Sequence, residues 1–301
     1  MKTYGYYPGC SVRSTSKAYE KSLLGVFKTL NLDLKELKDW NCCGATAYFG
    51  VDKDLAMAIS GRNLALAEQQ KLDELVAPCA GCYLTLKKAN EYLKDHPGDH
   101  INKTMDRVDL HYGGKVRVRH PLEVLFSDAG VKAIAAAVKR PLKGWKVASY
   151  YGCQMVRPYK DMDDPYDPQI MDHIMEALGA EPVEYPYKTR CCGGSLTGTV
   201  EDVGQRLVYM LLNEMGKHGA NAVATACPLC HFNLDVYQSK VISRFTEKFD
   251  QAKGKKLESL PILHFTQIIG YALGSEPKQL GFMDLMTPPT RLVEASQGGQ
   301  A

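Results

Sequence analysis

Apolar and polar positions alternate along the chain in a way that predicts two similar series of strands and helices. A short apolar strand opens each series, at residues 2–7 and 146–151. Apolar side chains at three- and four-residue spacing then predict helices at 16–30 and 168–178. Both series continue in the same order, with an extended piece at 32–37 or 182–187, a long helix at 53–70 or 203–217, and a closing strand at 74–77 or 222–226.

A further strand and helix extend the likeness between the two halves. Residues 116–126 resemble residues 260–271, each being a strand followed by a helical segment. The strands end in His120 and His264, which are 144 positions apart. Alternating strands and helices favour βαβ units with mostly parallel sheets. The predicted fold is therefore α/β, built from two pseudo-symmetric repeats, each a small, mostly parallel sheet flanked by helices.

The repeats set the predicted domain limits. The first repeat spans 1–130 and the second spans 144–285. An irregular insert is expected at 96–114. The last residues, 286–301, are rich in Pro, Gly and Gln, so we expect a flexible tail or a docking segment there.

Composition and charge limit the class of protein. The chain has 301 residues, of which 45% are hydrophobic and 24% are charged, as in ordinary globular proteins large enough for two domains. No apolar run approaches the ~20 residues that span a bilayer, and the N-terminus lacks the apolar stretch of a signal peptide. We therefore expect a cytoplasmic protein without a direct membrane span. The net charge of +3 is small and the basic residues are dispersed, so nucleic acid is not an expected partner.

The ten cysteines form two matching sets of five, with none left over. Corresponding members lie 143, 149, 149, 148 and 148 residues apart. In a reducing compartment, clustered thiols are typical of metal sites rather than disulfides. The duplicated pattern therefore predicts two metal sites. The first set is Cys10, Cys42, Cys43, Cys79 and Cys82, and the second is Cys153, Cys191, Cys192, Cys227 and Cys230.

Five thiols per set is the number that separates the candidate metals. A tetrahedral zinc ion takes four ligands, and so does a cubane iron–sulfur cluster. Adjacent cysteines such as Cys42 and Cys43 chelate one small ion poorly, whereas they readily reach two different irons. A larger or irregular cluster is therefore favoured. Zinc in both sets, zinc in one set with a cluster in the other, and disulfides are the alternatives.

Two copies of a long-spaced Cys, Cys-Cys-Gly, Cys-x-x-Cys pattern resemble the cysteine-rich CCG domain. A chain that consists of little else is similar to the B subunit of heterodisulfide reductase, and the resemblance covers residues 4–273. It implies two non-cubane [4Fe–4S] clusters, one held by each set of cysteines, both facing a cavity between the repeats. It also implies reduction of a small disulfide to two thiols, either the disulfide of coenzyme M and coenzyme B or an analogous one.

Reduction of a disulfide needs two electrons, and each of two clusters beside the S–S bond can supply one. The chain has no ferredoxin run of the form C-x-x-C-x-x-C-x-x-x-C-P and no Gly-x-Gly-x-x-Gly dinucleotide fingerprint. Electrons are therefore expected from partners in a multi-subunit complex. These are a ferredoxin-like iron–sulfur protein, similar to the C subunit of heterodisulfide reductase, and a flavoprotein similar to its A subunit.

A second function is compatible with the same cysteines. CCG-containing subunits of lactate, glycolate, glycerol-phosphate and archaeal-type succinate dehydrogenases resemble this chain and relay electrons between a dehydrogenase and quinone. These longer relatives often add ferredoxin motifs or amphipathic membrane helices, and neither is evident in this sequence. The pattern therefore favours the disulfide reductase over the relay, with a zinc-stabilised scaffold as a third interpretation.

Other side chains are candidates for the reaction itself. His231, which follows the last cysteine, is a candidate to donate a proton or to hydrogen-bond a cluster sulfur, with surface or capping use as the alternative. His120 and His264 stand at strand-to-helix junctions, where capping or packing is expected. Tyr7 and Tyr150 in the opening strands are expected in the sheet core. Five basic residues near the cysteines are candidates to bind an anionic substrate group, unless they are ordinary surface charges: Arg13, Lys17, Arg157, Lys160 and Arg190.

Overall fold

The computed structural model describes residues 2–45, 47–249 and 257–298. Two four-stranded sheets form the centres of two repeats, and their described strand pairings are parallel. The first sheet contains β1 (Lys2–Tyr6), β2 (Leu32–Glu36), β3 (Glu74–Val76) and β4 (Arg117–Arg119), and the second contains β5 (Lys146–Tyr150), β6 (Glu181–Pro182), β7 (Ala222–Thr225) and β8 (Ile262–His264). Their orders, β2-β1-β3-β4 and β6-β5-β7-β8, are equivalent. The predicted α/β fold of two repeats is confirmed.

Helices cover the sheets. The first repeat contains α1 (Gly9–Arg13), α2 (Lys17–Thr29), α3 (Ala47–Val51), α4 (Lys53–Gln69), α5 (Ala80–Asp95), α6 (His100–Asp106), α7 (Pro121–Val124), a π-helical segment at Leu125–Gly130, and α8 (Val131–Ala136). The second contains α9 (Ile170–Ala177), α10 (Glu201–Lys217), α11 (Pro228–Val236), α12 (Gln238–Phe249), α13 (Phe265–Ala272), a 3₁₀ turn at Phe282–Asp284, and α14 (Thr290–Gly298).

Local sequence explains the main elements. The strand β7 is buried at every position, which is the pattern of a central parallel strand covered on both faces. The long helix α4 begins where the Asp52 side chain accepts a hydrogen bond from the Leu55 amide at 2.9 Å. In α9, Ile170, Met171 and Ile174 form a buried apolar face at helical spacing.

Helices of one repeat pack against the other repeat. Between α2 and α13, the Ser22 and Thr266 hydroxyls hydrogen-bond at 2.7 Å. The π-helical segment of repeat 1 also meets α9 of repeat 2, where the rings of Phe126 and His173 stack with centroids 6.2 Å apart. The two repeats therefore share one continuous buried core.

The insert predicted as irregular at 96–114 contains the helix α6. Asp99 caps this helix by accepting a hydrogen bond from the Ile101 amide at 2.9 Å, and Ile101 and Met105 are buried. The prediction was wrong for this stretch because a short helix with two anchoring side chains leaves little periodic signal.

The predicted tail, 286–301, contains the helix α14. The Trp145 indole donates a hydrogen bond to the Ser296 hydroxyl at 2.9 Å, and the Tyr271 hydroxyl donates to the Val293 carbonyl at 3.5 Å. This part of the tail is therefore helical and packed rather than flexible. Residues 299–301 lie outside the described residues, and the domain limits 1–130 and 144–285 stay predictions.

None of the helices in the described ranges combines the length and apolar character that crossing a bilayer requires.

Candidate metal centres

All ten cysteines lie at the carboxyl ends of the parallel strands. In repeat 1, Cys10 follows β1, Cys42 and Cys43 follow β2, and Cys79 and Cys82 lie where β3 leads into α5. Because parallel strands end at a common sheet edge, three distant stretches of chain bring five thiols together. Repeat 2 uses β5, β6 and β7 in the same way.

Thiols contact one another within each set of five. In repeat 1, the Cys43 and Cys82 sulfurs lie 3.2 Å apart. In repeat 2, the equivalent Cys192 and Cys230 sulfurs lie 3.4 Å apart. The Cys191 sulfur accepts a hydrogen bond from the Gly193 amide at 3.3 Å. All ten cysteines are free thiols, so the alternative of disulfides has no pairing in this structure.

The two sets meet across the interface between the repeats. The Cys79 thiol of repeat 1 lies beside the Cys227 thiol of repeat 2, and the interaction between them is the first cause that raises the pKa of Cys79. Thiol contacts therefore run from one set into the other without a break. The continuous series is Cys42, Cys43, Cys82, Cys79, Cys227, Cys230, Cys192, Cys191 and Cys153.

In each adjacent Cys-Cys pair, neighbouring thiols lower the pKa of one cysteine. The thiols of Cys42 and Cys82 lower the pKa of Cys43 to about 4. The thiols of Cys153 and Cys192 lower the pKa of Cys191 to about 2, with help from the Gly193 amide. The pKa of Cys153 rises in turn, first because its thiol hydrogen-bonds Cys191 and then because of burial. Each set therefore already contains thiolate character, which is the form that binds metals.

Burial divides each set into an inner and an outer part. The paired thiols at the interface, Cys79 and Cys227, are buried. Cys10 and Cys42 are exposed at the outer end of the first set. Such a gradient from surface to interface gives each centre an outer edge within reach of solvent or a partner.

Glycines let the backbone approach the sulfurs. Gly9 and Gly152 precede the first cysteine of each set, and both have φ of +71°, a conformation that favours glycine. A Cβ atom would lie 3.1 Å from the Cys82 sulfur at Gly9 and 3.3 Å from the Cys230 sulfur at Gly152. A side chain at either position would therefore be strained and would intrude on the site.

The donor set fits an iron–sulfur cluster. Each repeat presents five thiols on a glycine-lined edge, and thiolate sulfur is the ligand that such clusters take. Among the described residues, no group of three or more His, Cys, Asp or Glu side chains has the compact arrangement of a single-ion site.

Two tyrosines expected only in the sheet core have a more specific position. The Tyr7 hydroxyl donates to the Asn41 carbonyl at 2.8 Å, and the Tyr150 hydroxyl donates to the Arg190 carbonyl at 2.6 Å. Both carbonyls immediately precede the Cys-Cys pairs, and nearby thiols contribute to raising the pKa of each tyrosine after burial. Their separation of 143 residues, equal to that of Cys10 and its counterpart, was the signal for this role.

His231 lies against the interface. Its ring is partly covered, its Nε2 atom is enclosed without a hydrogen-bond partner among the described residues, and it stacks on the His264 ring with centroids 4.2 Å apart. Burial lowers the pKa of His231 to about 4, so the imidazole is neutral at pH 7. His120 caps α7 by accepting from the Leu122 amide at 3.1 Å, as expected for its junction.

The five basic candidates differ in whether their charged groups already have partners within the protein. Arg13 forms ion pairs with Glu20 and Glu36. Arg157 hydrogen-bonds the Thr189 carbonyl. The other three have exposed side chains: Lys17, Lys160 and Arg190. The Arg190 guanidinium lies 5.8 Å from the centre of the Tyr187 ring.

A cavity of about 1520 Å³ lies in repeat 2 between α10 and residues 257–261 and 287–292. No cysteine lines it. It is therefore distinct from the cavity between the repeats that the resemblance implies, which stays a prediction.

Comparison with known proteins agrees with this geometry. Two matches to the family of the cysteine-rich domain, CCG, cover residues 4–87 and 147–235, which contain all ten cysteines. The chain is 33% identical to the 8-methylmenaquinol:fumarate reductase membrane anchor subunit of Wolinella succinogenes, over 97% of this chain and 99% of that protein. It is 31% identical to the B subunit of the ferredoxin:CoB-CoM heterodisulfide reductase of Methanosarcina mazei, over 93% of this chain and 92% of that protein.

The fold also has a solved counterpart. A hypothetical protein from Helicobacter pylori superimposes with a TM-score of 0.73 at 16% identity, over 95% of this chain and 52% of that chain. The family match, the two relatives and the duplicated thiol sets lead to one conclusion. The chain belongs to the cysteine-rich CCG family that includes the B subunit of heterodisulfide reductase.

Proposed function

We propose that this chain is the catalytic iron–sulfur subunit of a heterodisulfide reductase-like complex. In this proposal each set of five cysteines holds a non-cubane [4Fe–4S] cluster, and a disulfide of the CoM-S-S-CoB type, or an analogous one, is reduced to two thiols. Membership of the CCG family and the similarity to the heterodisulfide reductase subunit of Methanosarcina mazei support a role in an iron–sulfur oxidoreductase.

The observation that carries the proposal is the close approach of Cys79 and Cys227, because the carbonyls of the residues just before them, Pro78 and Ala226, share the Nε2 atom of His120 at 2.9 and 3.1 Å. Cleavage of an S–S bond consumes two electrons and two protons and yields two thiols. Clusters supply one-electron redox chemistry when bound. Two such centres brought together by adjacent ligands can deliver both electrons to one bond without a flavin in this chain.

Side chains around the thiols have separate proposed roles. The exposed cations Lys17, Lys160 and Arg190 are the candidates to bind an anionic group of the substrate, because Arg13 and Arg157 have partners within the protein. His231 stays the candidate for proton handling. Its Nε2 atom is enclosed without a hydrogen-bond partner among the described residues, which leaves this atom available for the predicted hydrogen bond to a cluster sulfur.

The proposed partners supply electrons. The proposed complex, in a cytoplasmic location, also contains a ferredoxin-like iron–sulfur protein and a flavoprotein. The ten cysteines of the chain form two thiol sets and no third, so an external electron donor is required.

A second candidate function has a specific observation in its favour. The relative from Wolinella succinogenes is named as a membrane anchor subunit of a quinol:fumarate reductase, and the chain matches nearly all of its length. The same two centres would then relay electrons between a dehydrogenase and quinone, with the chain bound to a membrane through partners or at its surface.

Anaerobically purified protein separates the two functions. Each candidate substrate is added to the oxidised and reduced protein, and the visible and electron paramagnetic resonance (EPR) spectra are recorded. A small disulfide or thiol that changes the spectrum and is turned over with a reduced ferredoxin supports the reductase. A spectrum that responds to a quinone analogue, and to no disulfide in a broad panel, contradicts the reductase and supports the relay.

A further inference from the structure

Two backbone carbonyls meet where the repeats join. They belong to Pro78 and Ala226, which immediately precede Cys79 and Cys227. Nε2 of His120 hydrogen-bonds both, at 2.9 Å to the Pro78 oxygen and 3.1 Å to the Ala226 oxygen. Because one nitrogen reaches both oxygens, the two peptide groups must lie close together.

A second donor serves the same two oxygens. The Tyr19 hydroxyl lies 3.2 Å from the Pro78 oxygen and 3.4 Å from the Ala226 oxygen. Nδ1 of His120 accepts from the Leu122 amide, so the His120 proton sits on Nε2 and is available to the carbonyls. Both side chains are fully buried. Two shared donors therefore offset the mutual repulsion of two carbonyl dipoles in a buried interface.

This clamp, formed by Tyr19 and His120, is built once, although the repeats are duplicated. Both residues come from repeat 1. In repeat 2, the His264 ring stacks on Tyr19 with centroids 4.1 Å apart and planes 7° apart, and its Nδ1 has no partner among the described residues. Repeat 2 thus supports the clamp by stacking and supplies one of its two carbonyls. Because a single clamp lies where the two repeats meet, its role belongs to the interface and not to either repeat alone.

We propose that Tyr19 and His120 are positioning residues that hold Cys79 and Cys227 in contact, so that the two metal centres act as one two-electron unit. The part of this proposal that concerns the metal centres rests on the proposed function. The positioning of Cys79 and Cys227 by the clamp can be tested without any metal. Tyr19 and His120 act through the backbone of Pro78 and Ala226, one residue before each cysteine.

The test measures which thiols are neighbours in the metal-free, full-length chain. Diamide joins adjacent thiols as disulfides and takes up their two protons and two electrons, and peptide mapping then counts each disulfide. The readout is the yield of the Cys79–Cys227 link divided by that of the Cys43–Cys82 link. The second link lies within repeat 1, where the sulfurs are 3.2 Å apart, so the ratio cancels general loosening of the fold.

The double variant Tyr19→Phe/His120→Phe removes both donors and keeps aromatic rings at both positions. Loss of these hydrogen bonds is expected to lower the ratio roughly tenfold. His120→Gln, which keeps a side-chain amide donor, is expected to retain most of the ratio. Tyr112→Phe is the matched control, because Tyr112 is a buried tyrosine whose hydroxyl contacts Asn90 and the Val116 carbonyl within repeat 1 only.

The outcomes are distinct. A lower ratio in the double variant alone supports the clamp, and iron-loaded protein of that variant should then show weaker spin–spin splitting in its EPR spectrum. An unchanged ratio, an equal loss in Tyr112→Phe, or no Cys79–Cys227 link in the natural chain overturns it. If the natural chain binds no iron and sulfide, the proposed function fails while the ratio still reports on the clamp.

Discussion

At the scale of single residues, the thiols share protons rather than ionising independently. Cys191 receives hydrogen bonds from neighbouring thiols and from the Gly193 amide, and its pKa falls to about 2. The pKa of Cys153 rises because its thiol donates a hydrogen bond to the same sulfur. Both residues are partly buried, so their reactivities should differ through charge rather than through access.

This difference predicts a selective alkylation. In metal-free protein at pH 6, Cys191 should react with iodoacetamide more than about tenfold faster than Cys153, because only thiolates are nucleophiles. Between pH 5 and pH 8 the Cys191 rate should stay nearly flat, since its pKa lies below this window. The Cys153 rate should climb with pH. Mass spectrometry of timed samples measures both rates, and equal rates at pH 6 would show that the pair does not share a proton in this way.

The glycines before the first cysteines predict a second residue-level effect. Gly9→Ala and Gly152→Ala should each destabilise the protein by about 1–2 kcal/mol, because φ is +71° at both positions. Each should also reduce the iron content, since the added Cβ approaches a ligand sulfur. Thermal unfolding and iron analysis measure the two effects.

Gly25→Ala is the matched control for the glycine variants. Gly25 lies inside α2, where an added Cβ would meet no atom within 4 Å, and Ala favours helix interiors. It should therefore stabilise the protein by up to about 1 kcal/mol and leave the iron content unchanged. Iron loss in all three variants would contradict a local role for Gly9 and Gly152.

Sequence alone identified the candidate ligand residues but not the side chains that hold them in place. The cysteines could be found because their offsets repeat and because five thiols exceed what one tetrahedral ion requires. Tyr19 could not be found in this way. Its role comes from carbonyls 59 and 207 positions away in the chain, and no local spacing encodes such contacts.

At the scale of elements, the repeats differ beside their thiols. The segment that follows Cys153 in repeat 2 covers α5 of repeat 1. There Lys87 pairs with Asp161 and lies 4.9 Å from the centre of the Tyr159 ring. The corresponding helix of repeat 2, α11, keeps Leu229 and Phe232 exposed. The two repeats therefore have equivalent thiol sets, but different side chains cover them.

The helix α14 gives a prediction at this scale. Removing residues 290–301 should expose Trp145 and Tyr271, because α14 supplies the hydrogen-bond partner of each. We expect the melting temperature to fall by roughly 5 °C. Tryptophan emission should shift to the red, since the chain has only two tryptophans and Trp145 is fully buried.

Ser296→Ala separates the hydrogen bond from the packing of α14. This variant removes the acceptor of the Trp145 indole together with the hydrogen bond from the Ser296 hydroxyl to the Leu292 carbonyl. It leaves the other side chains of α14 in place and should cost about 1 kcal/mol with little change in emission. If the truncated chain melts and emits like the full chain, α14 does not pack on repeat 2.

Predicted elements agreed with the structure where the pattern of apolar residues along the chain was strong. The strands β1 and β5 and the helices α4 and α10 begin and end within a few residues of their predicted limits. The helices α6 and α14 were missed. Each is short and rich in polar residues, and each is stabilised by caps or by contacts with distant residues rather than by a strong apolar stripe.

At the scale of the whole molecule, two α/β repeats join so that their thiol sets become one series. Two helix contacts hold the repeats together: α2 of repeat 1 packs on α13 of repeat 2, and the π-helical segment of repeat 1 packs on α9 of repeat 2. Cys79 and Cys227 lie beside each other where the repeats meet. The proposed function depends on this arrangement, because two neighbouring centres would each supply one of the two electrons.

Whether both thiol sets hold iron–sulfur clusters is decided by the quantity of iron, inorganic sulfide and zinc in the anaerobically purified chain. Two clusters of the [4Fe–4S] composition predict about eight irons and about eight sulfides per chain, without zinc. We further expect Cys191→Ser/Cys192→Ser to halve both values and to leave the first set loaded. Zinc in place of iron, or the absence of acid-labile sulfide, would contradict the assignment of clusters to these cysteines.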